Sequence, residues 1–91
     1  MPYIKQNDRV MLDLEIYNLT NEIERKGTKN RAGNLNYSIT KLLHLVLDSG
    51  EECGYAELNS VIGMLECAKL ELYRRVVVPY EDAKIEENGD V

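Results

Sequence analysis

Residues 55–78, YAELNSVIGMLECAKLELYRRVVV, form an unbroken helical pattern that is followed by Pro79. Two stripes of residues recur along it at spacings of three and four, so each stripe lies on one face of an α-helix. The first stripe is bulky and consists of Leu58, Val61, Leu65, Ala68, Leu72 and Val76. The second stripe is small and consists of Ala56, Ser60, Gly63 and Cys67. A helix with two faces suited to packing needs more neighbouring helices than a chain of 91 residues easily supplies. This pattern therefore predicts self-association.

The rest of the chain predicts an all-α fold, a three-helix bundle in a single domain. The predicted segments are an extended N-terminal arm over residues 1–12, helices over residues 13–27, 34–49 and 55–78, and an acidic C-terminal tail over residues 80–91. Asp13 is the expected N-cap of the first helix, and Gly27 is expected to end it. Asn34 or Asn36 is expected to cap the second helix. Pro79 is expected to end the long third helix, because proline removes a helical hydrogen bond.

The predicted helix lengths indicate where a partner would bind. The first two helices measure about 20 Å each and the third about 36 Å, so an intramolecular bundle leaves the end of the third helix uncovered. The residues at that end are apolar and β-branched, and the small stripe would let two helix backbones approach closely. The predicted interface of a homo-oligomer, most simply a dimer, comprises Ala56, Ser60, Gly63, Cys67, Val76 and Val77.

Composition and charge exclude several classes of protein. Hydrophobic residues make up 44% of the chain, which is too many for a disordered tail, although Trp and Phe are absent. No apolar run approaches the length of a membrane span, and the first residues lack the apolar segment of a signal peptide, so we expect a cytoplasmic protein. The net charge of −5 disfavours nucleic-acid binding. Residues 24–31 carry a net charge of +3 and residues 80–91 one of −4, and these two regions could attract each other between subunits.

Two basic regions are the candidate ligand sites. Lys29 and Arg31 lie in a glycine-containing connection, and Arg74 and Arg75 lie near the end of the third helix; together they could hold a phosphate or nucleotide. The alternative is a solvated connection and, at the helix end, salt bridges, with Glu71 already able to pair with Arg75.

Other chemistry finds less support in the sequence. The helical glutamates could bind Mg²⁺ as in all-α nucleotide pyrophosphohydrolases, but the ExxE and ExxD spacings of those enzymes are absent. His44 lies in an apolar run with no nucleophile beside it, which predicts a partly buried structural residue. Cys53 is expected to be exposed in a turn and Cys67 to be a small buried apolar residue. No catalytic residue, metal site or cofactor is predicted.

Three blocks of sequence carry a family resemblance. They are YIKQNDR at residues 3–9, NLNYSIT at residues 34–40, and YAELN at residues 55–59 running through YRR at 73–75 to PYED at 79–82. With these blocks the chain resembles a family of small uncharacterised proteins encoded by bacteria and their phages. The resemblance brings no catalytic role with it. It implies a complete small protein of a bacterial or phage-infected cytoplasm, for which interference with a host process is one class of function.

The sequence therefore predicts a non-enzymatic helical protein that self-associates through its third helix and acts by binding. Its expected partner is a second copy of itself, followed by a host or phage protein. The alternative is a protein that binds and sequesters a nucleotide or phosphate through Lys29, Arg31, Arg74 and Arg75. A weaker alternative is the Mg²⁺-dependent nucleotide hydrolase.

Overall fold

The computed structural model describes residues 2–49 and 52–91, and all regular structure in these residues is helical. This confirms the all-α fold class. The chain divides into two compact units, one formed by residues 3–53 and the other by residues 54–91 together with Pro2. The assembly of the helices into one bundle, within a single domain, stays a prediction.

The first unit is built from two helices of similar length. Helix α1 spans Val10–Arg25 and helix α2 spans Arg31–Leu47. Short 3-10 turns precede them, at Gln6–Asp8 and at Thr28–Asn30. Gly27 lies between the helices with φ +82°, a left-handed conformation that glycine adopts without strain. The prediction that Gly27 ends the first helix is confirmed, and α1 and α2 form a helical hairpin around it.

Both helices of the first unit begin earlier than their predicted caps. Helix α1 continues directly from the preceding 3-10 turn, and the N–H of Asp13 donates to the carbonyl of Arg9 inside the helix. Asp13 is therefore not the N-cap, and the predicted arm over residues 1–12 is wrong beyond its first few residues. Helix α2 begins at Arg31 rather than at residue 34, because the turn at Thr28–Asn30 already has helical curvature and leads into it. The two predicted asparagine caps thus lie inside α2.

Packing in the first unit is concentrated beside the connection between its helices. Ile23, in the last turns of α1, is the single buried apolar residue among those the structure describes. Arg31 at the start of α2 donates to the carboxylate of Glu24 across the connection at 3.4 Å. Farther from the connection, Leu12 on α1 and Leu45 on α2 are both more than half exposed.

The second unit is one long helix, defined here as residues 55–88. It consists of α3 (Tyr55–Leu72), a π-helical turn (Tyr73–Val77) and α4 (Val78–Asn88). At 34 residues it measures about 50 Å, roughly twice the length of α1 or α2. A long third helix was predicted, and it is longer than the sequence pattern indicated.

Pro79 does not end this helix, and residues 80–88, predicted as part of an acidic tail, are helical. In a regular α-helix the proline ring clashes with the carbonyl four residues earlier. Directly before Pro79, however, the N–H of Val78 donates to the carbonyl of Tyr73, five residues earlier, in a π turn. This wider turn makes room for the ring, and the chain remains helical to Asn88. Gly89 follows with φ +87° and ends the helix.

None of the helices in residues 2–49 and 52–91 has the length and apolar character required to cross a membrane.

Candidate functional site

The most extensive candidate site is the apolar surface that the helices leave exposed. On α1 the side chains of Met11 and Ile16 are 70% and 55% exposed, and on α3 that of Ile62 is 66% exposed. Exposed side chains of this kind also occur along α2 and α4, including Leu42 and Ile85.

The small stripe of α3 lies on one continuous face, because its members sit four, three and four residues apart in a regular helix. The hydroxyl of Ser60 donates to the carbonyl of Ala56 at 2.9 Å, so its polar group is satisfied within the helix. A Cβ atom added at Gly63 would meet nothing within 4 Å. All four residues of the stripe are exposed, including Cys67, which was predicted to be buried.

The π turn changes which valine continues the bulky stripe. One residue is added to the helical turn there, so the position that follows Leu72 on the same face moves from Val76 to Val77. The exposure of the two side chains agrees with this shift, since Val77 is half-buried and Val76 is 58% exposed. Both residues belong to the predicted interface, and of the two Val77 is the one in register with the stripe.

The predicted ligand-binding cations lie in different units, and three of them have acidic neighbours. Arg31 pairs with Glu24 in the first unit. Arg74 and Arg75 both pair with Glu71 in the second, at 3.0 and 3.7 Å. These ion pairs are exposed, so each contributes little to stability. Phosphate binding by these residues stays a prediction.

The residues considered for catalysis do not converge. Within the described residues, no group of three or more His, Cys, Asp or Glu side chains is arranged to hold a metal ion. Glu66 pairs with Lys69 on the face of α3. His44 is exposed, not partly buried as predicted. Cys53 is half-buried and its thiol donates to the carbonyl of Leu47 at 3.4 Å, so the prediction of an exposed turn cysteine is wrong.

A cavity of about 200 Å³ lies between α1 and α2 beside their connection. Its apolar wall is formed by Leu19 and Ile23, and its polar wall includes Lys26, Asn34 and Ser38. The amide nitrogen of Asn34 is buried and has no hydrogen-bond acceptor among the described residues. A buried donor without an acceptor is costly.

Glu22 lines the same cavity and is held by Arg25. The guanidinium donates from Nε to both carboxylate oxygens, at 3.1 and 3.0 Å, and from Nη2 to Oε1 at 2.9 Å. These hydrogen bonds lower the pKa of the Glu22 carboxyl; desolvation opposes the effect, and the charges of Arg25 and Lys26 reinforce it. The same pair raises the pKa of Arg25. Arg25 thus balances the negative charge of Glu22. The positive charge of Lys26 then makes the net charge beside the cavity positive.

Sequence reasoning missed this cavity. Asn34, with Asn36 as the alternative, was predicted to cap the second helix and not to line a cavity. The signal was present in the spacing, because residues 19, 22, 23 and 26 share one face of α1, and residues 34, 37 and 38 share one face of α2. What the sequence could not indicate is that the two faces meet.

The whole chain, residues 1–91, matches the family described as a domain of unknown function (DUF6899), and the chain belongs to this family. No curated protein and no solved structure shows significant similarity to it. The comparisons and the structure together support a domain of unknown function with a helical fold. A bacterial or phage origin stays a prediction.

Proposed function

We propose that this chain is a non-enzymatic protein that self-associates through its long helix and acts by binding. One observation carries the proposal. Ile23 is the single buried apolar residue among the described residues, although 44% of the chain is hydrophobic. Folded proteins are stabilised mainly by apolar surface removed from water. The surface that the isolated chain leaves exposed is therefore the surface a partner would cover.

The helix lengths favour a second copy over packing of the two units within one chain. Helices α1 and α2 measure about 25 Å each, whereas the long helix measures about 50 Å. A hairpin of that length covers about half of the long helix, even in the best arrangement. The long helix of a second copy has the matching length and the matching apolar faces.

The small stripe forms the proposed centre of this interface, and Val77 belongs to the bulky stripe on the opposite face of the helix. Small side chains at Ala56, Ser60, Gly63 and Cys67 allow two helix backbones to approach, and the open space at Gly63 leaves room for the partner. In water such a contact is stabilised by the exposed apolar side chains beside the stripe, here Met64 and Leu70.

Charge complementarity would orient one copy relative to the other when they associate. Residues 24–31 carry a net charge of +3, and α4 with the residues after it carries the acidic groups of residues 80–91, with a net charge of −4. Opposite charges at the rim of an interface steer association and fix its register more than they add affinity. Association should therefore slow as ionic strength rises.

A matched pair of glycine substitutions tests the proposed interface. Gly63→Leu places a large side chain at the contact, which we expect to cost about 1–3 kcal/mol, or a roughly 5- to 150-fold rise in the Kd of association. Gly33→Leu is the control, because Gly33 also lies in a helix with nothing within 4 Å of an added Cβ. Both variants gain helix propensity, so neither should unfold the monomer.

Sedimentation velocity over a concentration series gives the Kd of each variant, and circular dichroism gives its helix content. The proposal expects weaker association for Gly63→Leu alone. Equal Kd values for the wild type and both variants would place the interface elsewhere.

A further inference from the structure

Helix α2 carries an apolar stripe on a face that does not pack against α1. Its members are spaced four, three and four residues apart along a regular helix, so they lie on one face. All four of these residues are exposed: Leu35, Ile39, Leu42 and Val46. Asn34 and Ser38, which line the cavity against α1, lie on a different face. The stripe, here named the α2 face, is therefore not covered by the pairing of the two helices in the hairpin.

The connection that leads into α2 carries positive charge that is only partly paired. Its two arginines, Arg25 and Arg31, already form ion pairs with glutamates of α1. Lys26 and Lys29 form no ion pair with any of the described residues. Two cationic side chains thus lie at the end of α2 where the α2 face begins.

Helix α4 has the complementary composition on one of its own faces. Val78 and Ile85 lie seven residues apart and are both exposed. Glu81 and Asp82 follow Val78 by three and four residues, so this α4 face carries two carboxylates between its apolar residues. Neither carboxylate forms an ion pair within the part of the chain that the structure describes. The α4 face is thus apolar and acidic, whereas the α2 face is apolar with a basic end.

We propose that the α4 face of one copy docks on the α2 face of a second copy, with its two carboxylates against the basic end of α2. The apolar side chains of both faces leave water in this contact, and the opposite charges fix its register. The contact rests on the proposed self-association. Once two long helices have associated, α4 is held close to the partner, so this second contact forms at a high effective concentration.

Reversing the charges on each side separately tests the contact. The basic-side variant carries Lys26→Glu and Lys29→Glu, and the acidic-side variant carries Glu81→Lys and Asp82→Lys. Each variant alone places like charges against each other in both contacts of a dimer. We therefore expect the Kd of association, measured by sedimentation velocity, to rise by at least about tenfold for each. Circular dichroism checks that both variants keep their helix content.

An equimolar mixture of the two variants separates a contact between copies from a contact within one chain. In a mixed dimer the two unchanged surfaces meet each other, and so do the two reversed surfaces, so opposite charges face each other in both contacts. We expect this mixed dimer to form with a Kd near that of the wild type, although neither variant associates well alone. Charges that meet within one chain would stay mismatched in both variants, and mixing would restore nothing.

The variant with Lys5→Glu and Lys41→Glu is the matched control. It changes the net charge as much as the basic-side variant does, at positions outside both faces, and should weaken association far less. Wild-type association by both single-side variants, or a mixture that associates no better than its components, would overturn this contact and leave the proposed self-association standing. A wild-type chain that stays monomeric would overturn the proposed function and this contact with it.

Discussion

Ile23 and Asn34 face the same cavity from the two helices of the first unit, and they illustrate how single residues define its character. Ile23 is buried where the helices meet, next to the connection that holds them together. Asn34 is the polar counterpart, a buried donor without an acceptor among the described residues. The apolar residue stabilises the hairpin, whereas the polar residue costs free energy.

The pKa of Glu22 leads to a second prediction about a single residue. Because hydrogen bonds from Arg25 lower its pKa below the ordinary 4.5, Glu22 should titrate at lower pH than a free glutamate. The pair stabilises the folded state above the unfolded pKa, and this stabilisation is lost as the pH falls through the lowered folded pKa. Carbon-detected NMR of the Glu22 carboxyl during acid titration measures the shift.

Arg25→Gln should raise the pKa of Glu22 towards its ordinary value. Lys29→Gln is the control, since Lys29 makes no contribution to the shift at Glu22. An unchanged Glu22 titration in Arg25→Gln would show that the hydrogen-bonded pair does not persist in solution.

The long helix shows how an element can differ from the pattern that predicts it. Its apolar periodicity, the stop at Gly27 and the all-α class could all be predicted, because each follows from local spacing or backbone preference. The continuation past Pro79 could not, because a π turn depends on hydrogen bonds of the preceding backbone. The predictions that Asp13 and Asn34 cap their helices failed for a related reason. Residues with good capping chemistry also occur inside helices when an earlier turn has already begun the helix.

The register shift at the π turn leads to a prediction about neighbouring valines. Val77→Asp places a charge on the face that continues from Leu72, whereas Val76→Asp places the same charge one residue out of register. If the long helices associate through the bulky and small stripes, Val77→Asp should weaken association by about 2 kcal/mol or more, and Val76→Asp by clearly less. Sedimentation velocity on the two variants makes the comparison. The reverse order, with Val76→Asp more damaging, would mean that the helix keeps its regular register in the assembly.

At the scale of the whole molecule, apolar residues are abundant but few of them are buried. Two units, a hairpin and a long helix, each leave apolar faces open to solvent. The sequence pattern pointed to this outcome through the two stripes of residues 55–78 and through the unequal helix lengths. It could not indicate the cavity, since a contact between two helices is set by their relative placement and not by either sequence alone.

The central claim is that the apolar surface of this chain is covered by a second copy, and the molar mass in solution tests it most directly. Size-exclusion chromatography with multi-angle light scattering should be run on the full chain from low to high micromolar concentration. We expect a molar mass that is an integer multiple of 10.4 kDa, most simply twice that value, with dissociation only at the lowest concentrations. A mass of 10.4 kDa across the whole range, with the helix content retained, would contradict it and would mean that the two units cover each other within one chain.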